Sequence, residues 1–417
     1  MSRAFEDLLA GSQTGLPRLR LALAEALETG IDRREASELV LAHALASLGR
    51  ALCLANCAEA GIGYLAEAMD IHPSAAGSHA FLDLLIRQAE HSGAQGEWQE
   101  SIQRWQDIAV LMGEQTPDFV YRELSHAYAE NRQGFGGSPE ENHCWGDCHK
   151  HDVLAFLHEA LKPHLYLEIG VDEGLSLARA CGPAIGIDPR PVLSLKASLP
   201  DTARILPLSS DAFFRDEADQ LLLTPPELIF IDGMHLFEFV LRDFMAVERH
   251  ACPHSLVVID DIYPCHPVQA SRRRRSGAWT GDVWKFHQIL QRERPDLTLL
   301  ALNSHTTGLL LIAGLNHQNT HLQAVYPSLV SEFRPIHHVP EASLTRQGAI
   351  PSSHPVLANL VRCLIRAKNE QWSVSEVQAA LGPIRETAEQ VALEFQGKAA
   401  TSIDTCDLVT LTAELRD

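Results

Sequence analysis

Five carboxylates and one imidazole in this chain could do chemistry together: Glu168, Asp188, Asp232, Asp260, Asp261 and His235. Each acid ends or follows a short apolar run. Leu165-Tyr166-Leu167 precedes Glu168, Pro183 to Ile187 precedes Asp188, Leu228 to Ile231 precedes Asp232, and Leu256 to Ile259 precedes Asp260-Asp261. Such runs predict buried strands of a parallel sheet, and open α/β sheets bind ligands beyond the C-terminal ends of their strands. Carboxylates gathered there repel one another unless a cation lies among them. Hard oxygen ligands suit magnesium, which makes Asp232, Asp260 and Asp261 the candidate metal ligands. A metal there would bind and acidify an acceptor hydroxyl, with His235, one helical step past Asp232, as general base. The blander alternative has Asp232 and Asp261 capping helices and His235 at the surface.

The turn after the first run selects the ligand. Glu168-x-Gly170-x-x-x-Gly174 carries two glycines where a dinucleotide fingerprint carries three, with a carboxylate just before them. That carboxylate would repel a pyrophosphate but suits a cationic ligand with an amino-acid end, which disfavours a nicotinamide dehydrogenase. Asp188 is placed to accept both hydroxyls of a ribose. Ser210 and Asp211 follow the third run, Ala203 to Leu208, where an adenine amino group could be held. The ligand implied is S-adenosylmethionine, on Glu168, Gly170, Gly174, Asp188, Ser210, Asp211 and Asp232.

Taken together, Glu168-x-Gly170-x-x-x-Gly174, Gly186-Ile187-Asp188-Pro189, Phe230-Ile231-Asp232-Gly233-Met234-His235 and Val258-Ile259-Asp260-Asp261 resemble the class I S-adenosylmethionine-dependent methyltransferases. Phe230 to His235, with Arg242-Asp243 following, is similar to the group whose motif reads F-I-D-G-x-H then R-D. The D-x-x-H and D-D arrangement also resembles the metal-dependent macrolide-sugar O-methyltransferases. That resemblance implies magnesium on Asp232, Asp260 and Asp261 and a proton-accepting His235. It covers the sheet region and leaves more than half of the chain outside it, so the sugar substrate does not carry over.

The elements that must position these groups are legible in outline. A chain of 417 residues implies about two or three domains. Residues 1–135 read as helices, with stripes at Leu19, Leu23, Ala26, Leu27 and at Leu41, Leu45, Leu48, Leu52. Two segments, Gly61 to Pro73 and Gly96 to Pro117, resemble tetratricopeptide repeats; a non-repeating bundle is the alternative. Either serves a protein partner or self-association more readily than catalysis. Residues 136–150 are a glycine-rich linker. His143, Cys144, Cys148, His149 and the adjacent His151 give only a weak zinc signal there, and the segment is read as packing against the pocket edge. Residues 151–316 open with a helix, Asp152 to Leu161. Five strands alternating with helices follow, and a hairpin closes a seven-stranded, mostly parallel sheet. A helix is expected after Gly174, through Leu175, Leu177 and Ala178. The Arg272 to Arg275 run with Trp279 and Trp284 reads either as a lid whose arginines meet a phosphate or carboxylate, or as a solvated loop. Residues 317–417 form a connector and a helical extension.

Composition bounds the function. A formal charge of −20, from 34 Lys+Arg against 54 Asp+Glu, argues against a general nucleic-acid binder. Nine scattered cysteines, no signal-peptide core and no apolar run of membrane-spanning length read as a cytoplasmic, soluble protein. The expectation is a metal-assisted O-methyltransferase acting on a hydroxyl of a small molecule, sugar or glycan. The alternative is an interaction protein whose methyltransferase domain binds cofactor without turnover.

Overall fold

The computed structural model describes residues 33–54, 64–65, 67–68, 71, 79–132, 134–395, 408 and 410–411. The chain divides into two compact units, residues 1–131 with 330–335, and residues 132–329 with 336–417.

The first unit is helical, with helices Arg33–Leu54, His79–Ala94, Trp98–Met112 and Asp118–Glu130. The last three pack in sequence. Ser101 Oγ donates to Ala89 O across 2.9 Å, and the Trp105 and Phe119 rings meet edge to face. Gly96 to Pro117 is thus one helix and the turn into the next. The Gly61 segment and the Leu19 stripe lie largely outside the described residues, so the repeat stands as an expectation. In Arg33–Leu54 the buried face is Ala42, Ala46 and Ser47, whereas Leu41 is 51% exposed.

The second unit is built on a seven-stranded sheet of order β3-β2-β1-β4-β5-β7-β6. Its strands are β1 Tyr166–Ile169, β2 Ala184–Ile187, β3 Ala203–Leu206, β4 Leu228–Ile231, β5 Leu256–Asp260, β6 Thr298–Leu302 and β7 Leu309–Ala313. β1 to β5 are parallel, and β7 runs antiparallel between β5 and β6. The register is level: Ile169 pairs with Ile187 and Ile231, and Ile231 with Ile259. Gly170, Asp188, Asp232 and Asp260 each follow that rung. Four neighbouring strands therefore deliver three carboxylates and a glycine to one edge.

Side chains two apart on a strand share a face. Tyr166, Leu228, Phe230, Leu256, Val258, Leu309 and Leu311 line one face of the sheet and pack with Leu154 and Leu157 of helix Lys150–Leu161. The same core takes Val356, Leu357, Leu360 and Val361 of helix Pro355–Glu370 and Leu381 of helix Val374–Phe395. The segment expected as an extension is part of the sheet's own hydrophobic core. One expected element is missing: after Gly174 the chain makes only a single 3-10 turn, Leu177–Arg179. Gly182-Pro183 follows at once and leaves no room for a longer helix.

Candidate active site

The strand alternation that buries Phe230 and Val258 also directs Asp232 and Asp260 toward helix Lys150–Leu161. Lys150 is the first residue of that helix, and its Nζ donates to Asp232 Oδ2 at 2.9 Å and to Asp260 Oδ2. Burial alone would push this ammonium down, but Asp232, Asp260 and Asp261 hold it well above the ordinary lysine range. Asp260 Oδ1 accepts the Asp261 N–H at 2.9 Å, so Asp260 is engaged on both oxygens. The cluster therefore departs from the expected metal trio. Among the described residues, Asp232, His235 and Asp261 are the group of three whose candidate ligand atoms lie within 4.8 Å of one another. Asp260 belongs to Lys150.

His235 follows β4 and Asp261 follows β5, both in the left-handed region, at φ 55° and 66°. Backbone of this kind in residues other than glycine costs on the order of 1 kcal/mol or more and gathers at functional sites. His235 Nδ1 lies 2.6 Å from Asp261 Oδ2, off the N–H direction, as an ion-pair contact; Nε2 lies 3.5 Å from Asp232 Oδ1. Thr307 Oγ1 donates to Asp261 Oδ1 at 2.7 Å and fixes that carboxylate. The imidazole stacks on Trp279, with ring centroids 5.0 Å apart and planes 7° from parallel. Burial works against its protonation, yet Asp261 and Asp232 outweigh burial and hold His235 up at about 8. Gly281 is required here. A Cβ on it would stand 1.7 Å from the His235 carbonyl oxygen, and Asp282 N–H donates to that same oxygen at 3.2 Å.

The cofactor side is mixed. Gly170, at φ 90°, lets the β1 turn pass over β4, since a Cβ there would meet the Asp232 carbonyl at 2.0 Å. Gly174, at φ 74°, closes the turn against Leu193. Asp188 takes one backbone N–H on each oxygen, from Asp172 at 2.8 Å and Arg190 at 2.7 Å, which leaves each oxygen a further lone pair. Glu168 is closed in rather than open to solvent. It shares its face with Tyr166, is fully buried, and accepts Tyr166 Oη–H and Ser176 Oγ–H, both at 2.6 Å. The polar group expected after β3 is also occupied: Asp211 holds Arg242 with both oxygens, at 3.0 and 2.8 Å, and Ser210 bonds Asp243. A buried guanidinium recruits the nearest carboxylate in a two-point grip, which turns Asp211 toward helix Phe237–His250.

Residues 167–262 match the family described as Methyltransferase domain. That match lies on the seven-stranded sheet, which has the strand order of a Rossmann-like methyltransferase fold. No curated protein matches the sequence. Among solved structures, the chain is similar to the O-methyltransferase TomG from Streptomyces achromogenes, at 19% identity over 39% of this chain and 78% of that one, with a TM-score of 0.31. It is also similar to an O-methyltransferase from Bacillus cereus, at 18% identity over 51% of this chain and 98% of that one, again with a TM-score of 0.31.

In this methyltransferase domain the segment after β5 is pinned rather than free. Arg272 is paired with Glu238 and with Asp282 at 2.6 Å, and Arg274 donates to the Ser276 and Gly277 carbonyls while its guanidinium lies over Phe135. These two arginines hold the segment down instead of reading a ligand anion. The linker cysteines and histidines do not gather round a metal: Cys148 is in the core, and His149 Nδ1 caps the helix that begins at Lys150. Lys150 was the group missed in the sequence, because nothing local marks a lysine whose partners lie 82 and 110 residues away.

Glu168 yields a stability prediction for the domain. Burial pushes its carboxyl up to about 8, above its ordinary value, against the pull of Ser176 and Tyr166. A raised carboxyl binds its proton more tightly in the folded state. Its contribution is full below the unfolded value and is lost as pH rises toward 8. Glu168→Gln, which mimics the neutral form, is expected to raise the melting temperature by a few degrees at pH 9 and to change it little at pH 5. Thermal melts at the two pH values check this.

Proposed function

We propose that the chain transfers a methyl group from S-adenosylmethionine to a hydroxyl of a small molecule, with sugar and glycan hydroxyls within that class. The observation that carries the reading is the His235 imidazole, oriented by Asp261 and Trp279 at the strand edge that also carries the Gly170 turn and Asp188. The residues suit the cofactor. Asp188 keeps a free lone pair on each oxygen for the two ribose hydroxyls, and Gly170 and Gly174 keep the turn clear of side chains. Asp188, Asp232, Asp260 and Asp261 outnumber Lys150 and a protonated His235, a surplus that favours a sulfonium cation. When bound, the cofactor supplies a methyl that passes to the acceptor oxygen, its sulfur keeping the electron pair of the broken bond. His235 Nε2 takes the hydroxyl proton, with the Asp261 carboxylate steadying the imidazolium so formed.

The magnesium implied by resemblance does not fit the residues. The Lys150 ammonium lies on Asp232 and Asp260, two of the three expected ligands, and no step is assigned to a metal. The helical unit is read as the part that meets a partner or a second copy, on its sequence pattern alone. Methyl-labelled cofactor incubated with a panel of phenols, catechols and sugars tests the function. A labelled methyl ether whose formation is lost in His235→Asn is the expected outcome. Label found only on nitrogen or carbon contradicts it.

A further inference from the structure

We propose that Lys150 is the built-in cation of this crevice, standing where a divalent metal would lie and presenting an N–H to the acceptor oxygen. The inference rests on the methyltransferase reading above. An ammonium has three N–H donors. Two are spent on Asp232 Oδ2 and Asp260 Oδ2, and the third remains on a side chain that is 22% exposed. The lysine is held from its backbone: its N–H donates to His305 O at 2.9 Å, and His149 pairs with His305 beside the β6–β7 turn. Asp260 is fixed in turn, because its other oxygen holds the Asp261 N–H.

This arrangement excludes a metal by charge and by place. A dication on Asp232, Asp260 and Asp261 would have to displace Nζ from two carboxylates. One on Asp232, His235 and Asp261 would draw on the same Asp232 carboxylate that holds the ammonium and set two cations side by side. With Lys150 in place the crevice already holds a cation that can meet negative charge developing on the acceptor oxygen while His235 takes the proton. A single N–H also reads one oxygen, whereas a chelating metal grips two. The acceptor class that follows is an isolated hydroxyl, with no requirement for an adjacent second oxygen.

The test is a titration of Mn2+ into the chelator-treated full-length protein, with bound ion read as loss of the free-ion paramagnetic resonance signal. S-adenosylhomocysteine calorimetry on the same samples reports folding and the cofactor site. The wild type is expected to leave Mn2+ free into the millimolar range, and Lys150→Arg to behave likewise. Lys150→Met is expected to bind one ion at least about tenfold more tightly, and Lys150→Gln takes its place should the Met variant lose S-adenosylhomocysteine. Stoichiometric micromolar Mn2+ binding by the wild type, abolished in Asp260→Asn, overturns the proposal. So does failure of the Met and Gln variants to gain an ion while S-adenosylhomocysteine still binds. Absence of S-adenosylhomocysteine binding in the wild type instead overturns the methyltransferase reading beneath it.

Discussion

Replacing His235 with Asn is expected to lower turnover by about two to four orders of magnitude, the range of a positioned general base, while S-adenosylhomocysteine affinity changes only a few-fold. Asn is the informative substitution because it tolerates the left-handed backbone at φ 55°. The loss then reports the imidazole rather than a strained turn. The pH profile gives an independent reading. Asp261 and Asp232 outweigh burial and hold the imidazole up at about 8. At neutral pH most of it is protonated and cannot accept a proton, so the wild-type rate should climb through a half-point near 8 and level off above. Single-turnover rates from pH 6 to 10 measure that curve. In Asp261→Asn the half-point should move down, because the largest source of the upward shift is gone.

The second large effect concerns stability. Asp282 is 1% exposed and accepts Arg272 at 2.6 Å, Lys285 at 2.8 Å and the Phe237 N–H at 3.0 Å. Burial would raise its carboxyl, yet Arg272 and Lys285 hold it down at about 2. Asp282→Ala takes the shared carboxylate away from two buried cations and strips the first turn of helix Phe237–His250 of an N–H partner. Breaking a buried pair from one side costs about 3–5 kcal/mol, or on the order of 10 °C in melting temperature. Scanning calorimetry at pH 7 checks it. Changing Asp282 to Ala together with Arg272 to Met should recover part of the loss, because one of the stranded charges then leaves as well. A further consequence is functional: the loop from Trp279 to Asp282 cradles His235, so the single variant should lose activity before it unfolds.

The strands were legible because parallel-sheet strands are written as bare apolar runs. Leu228 to Ile231 and Leu256 to Ile259 have no other reading at that length, and the acids after them mark the sheet edge. The hairpin pair was legible for the same reason. The helix expected after Gly174 was not there, because Leu175, Leu177 and Ala178 suggest a helical face while Gly182-Pro183 cuts the segment short. Glu168 illustrates a subtler limit. It shares a sheet face with Asp232 and Asp260 but lies one pleat deeper, fully buried, where Tyr166 and Ser176 already occupy its oxygens. Asp211 was read as a ligand contact because its partner, Arg242, lies 31 residues on in a different helix. Lys150 had no signal at all. Long-range ion pairs follow from the fold, and no local pattern anticipates them.

The glycine turn, Asp188 and the His235 crevice carry the central proposal, that this sheet edge binds S-adenosylmethionine. Calorimetric titration of S-adenosylhomocysteine into the full-length wild type and Asp188→Ala tests it most directly. Two hydroxyl contacts to a carboxylate are worth about 1.5–3 kcal/mol each, so the account predicts micromolar binding by the wild type and a loss of at least about tenfold in the variant. No binding by the folded wild type, or equal affinity in both proteins, would contradict it.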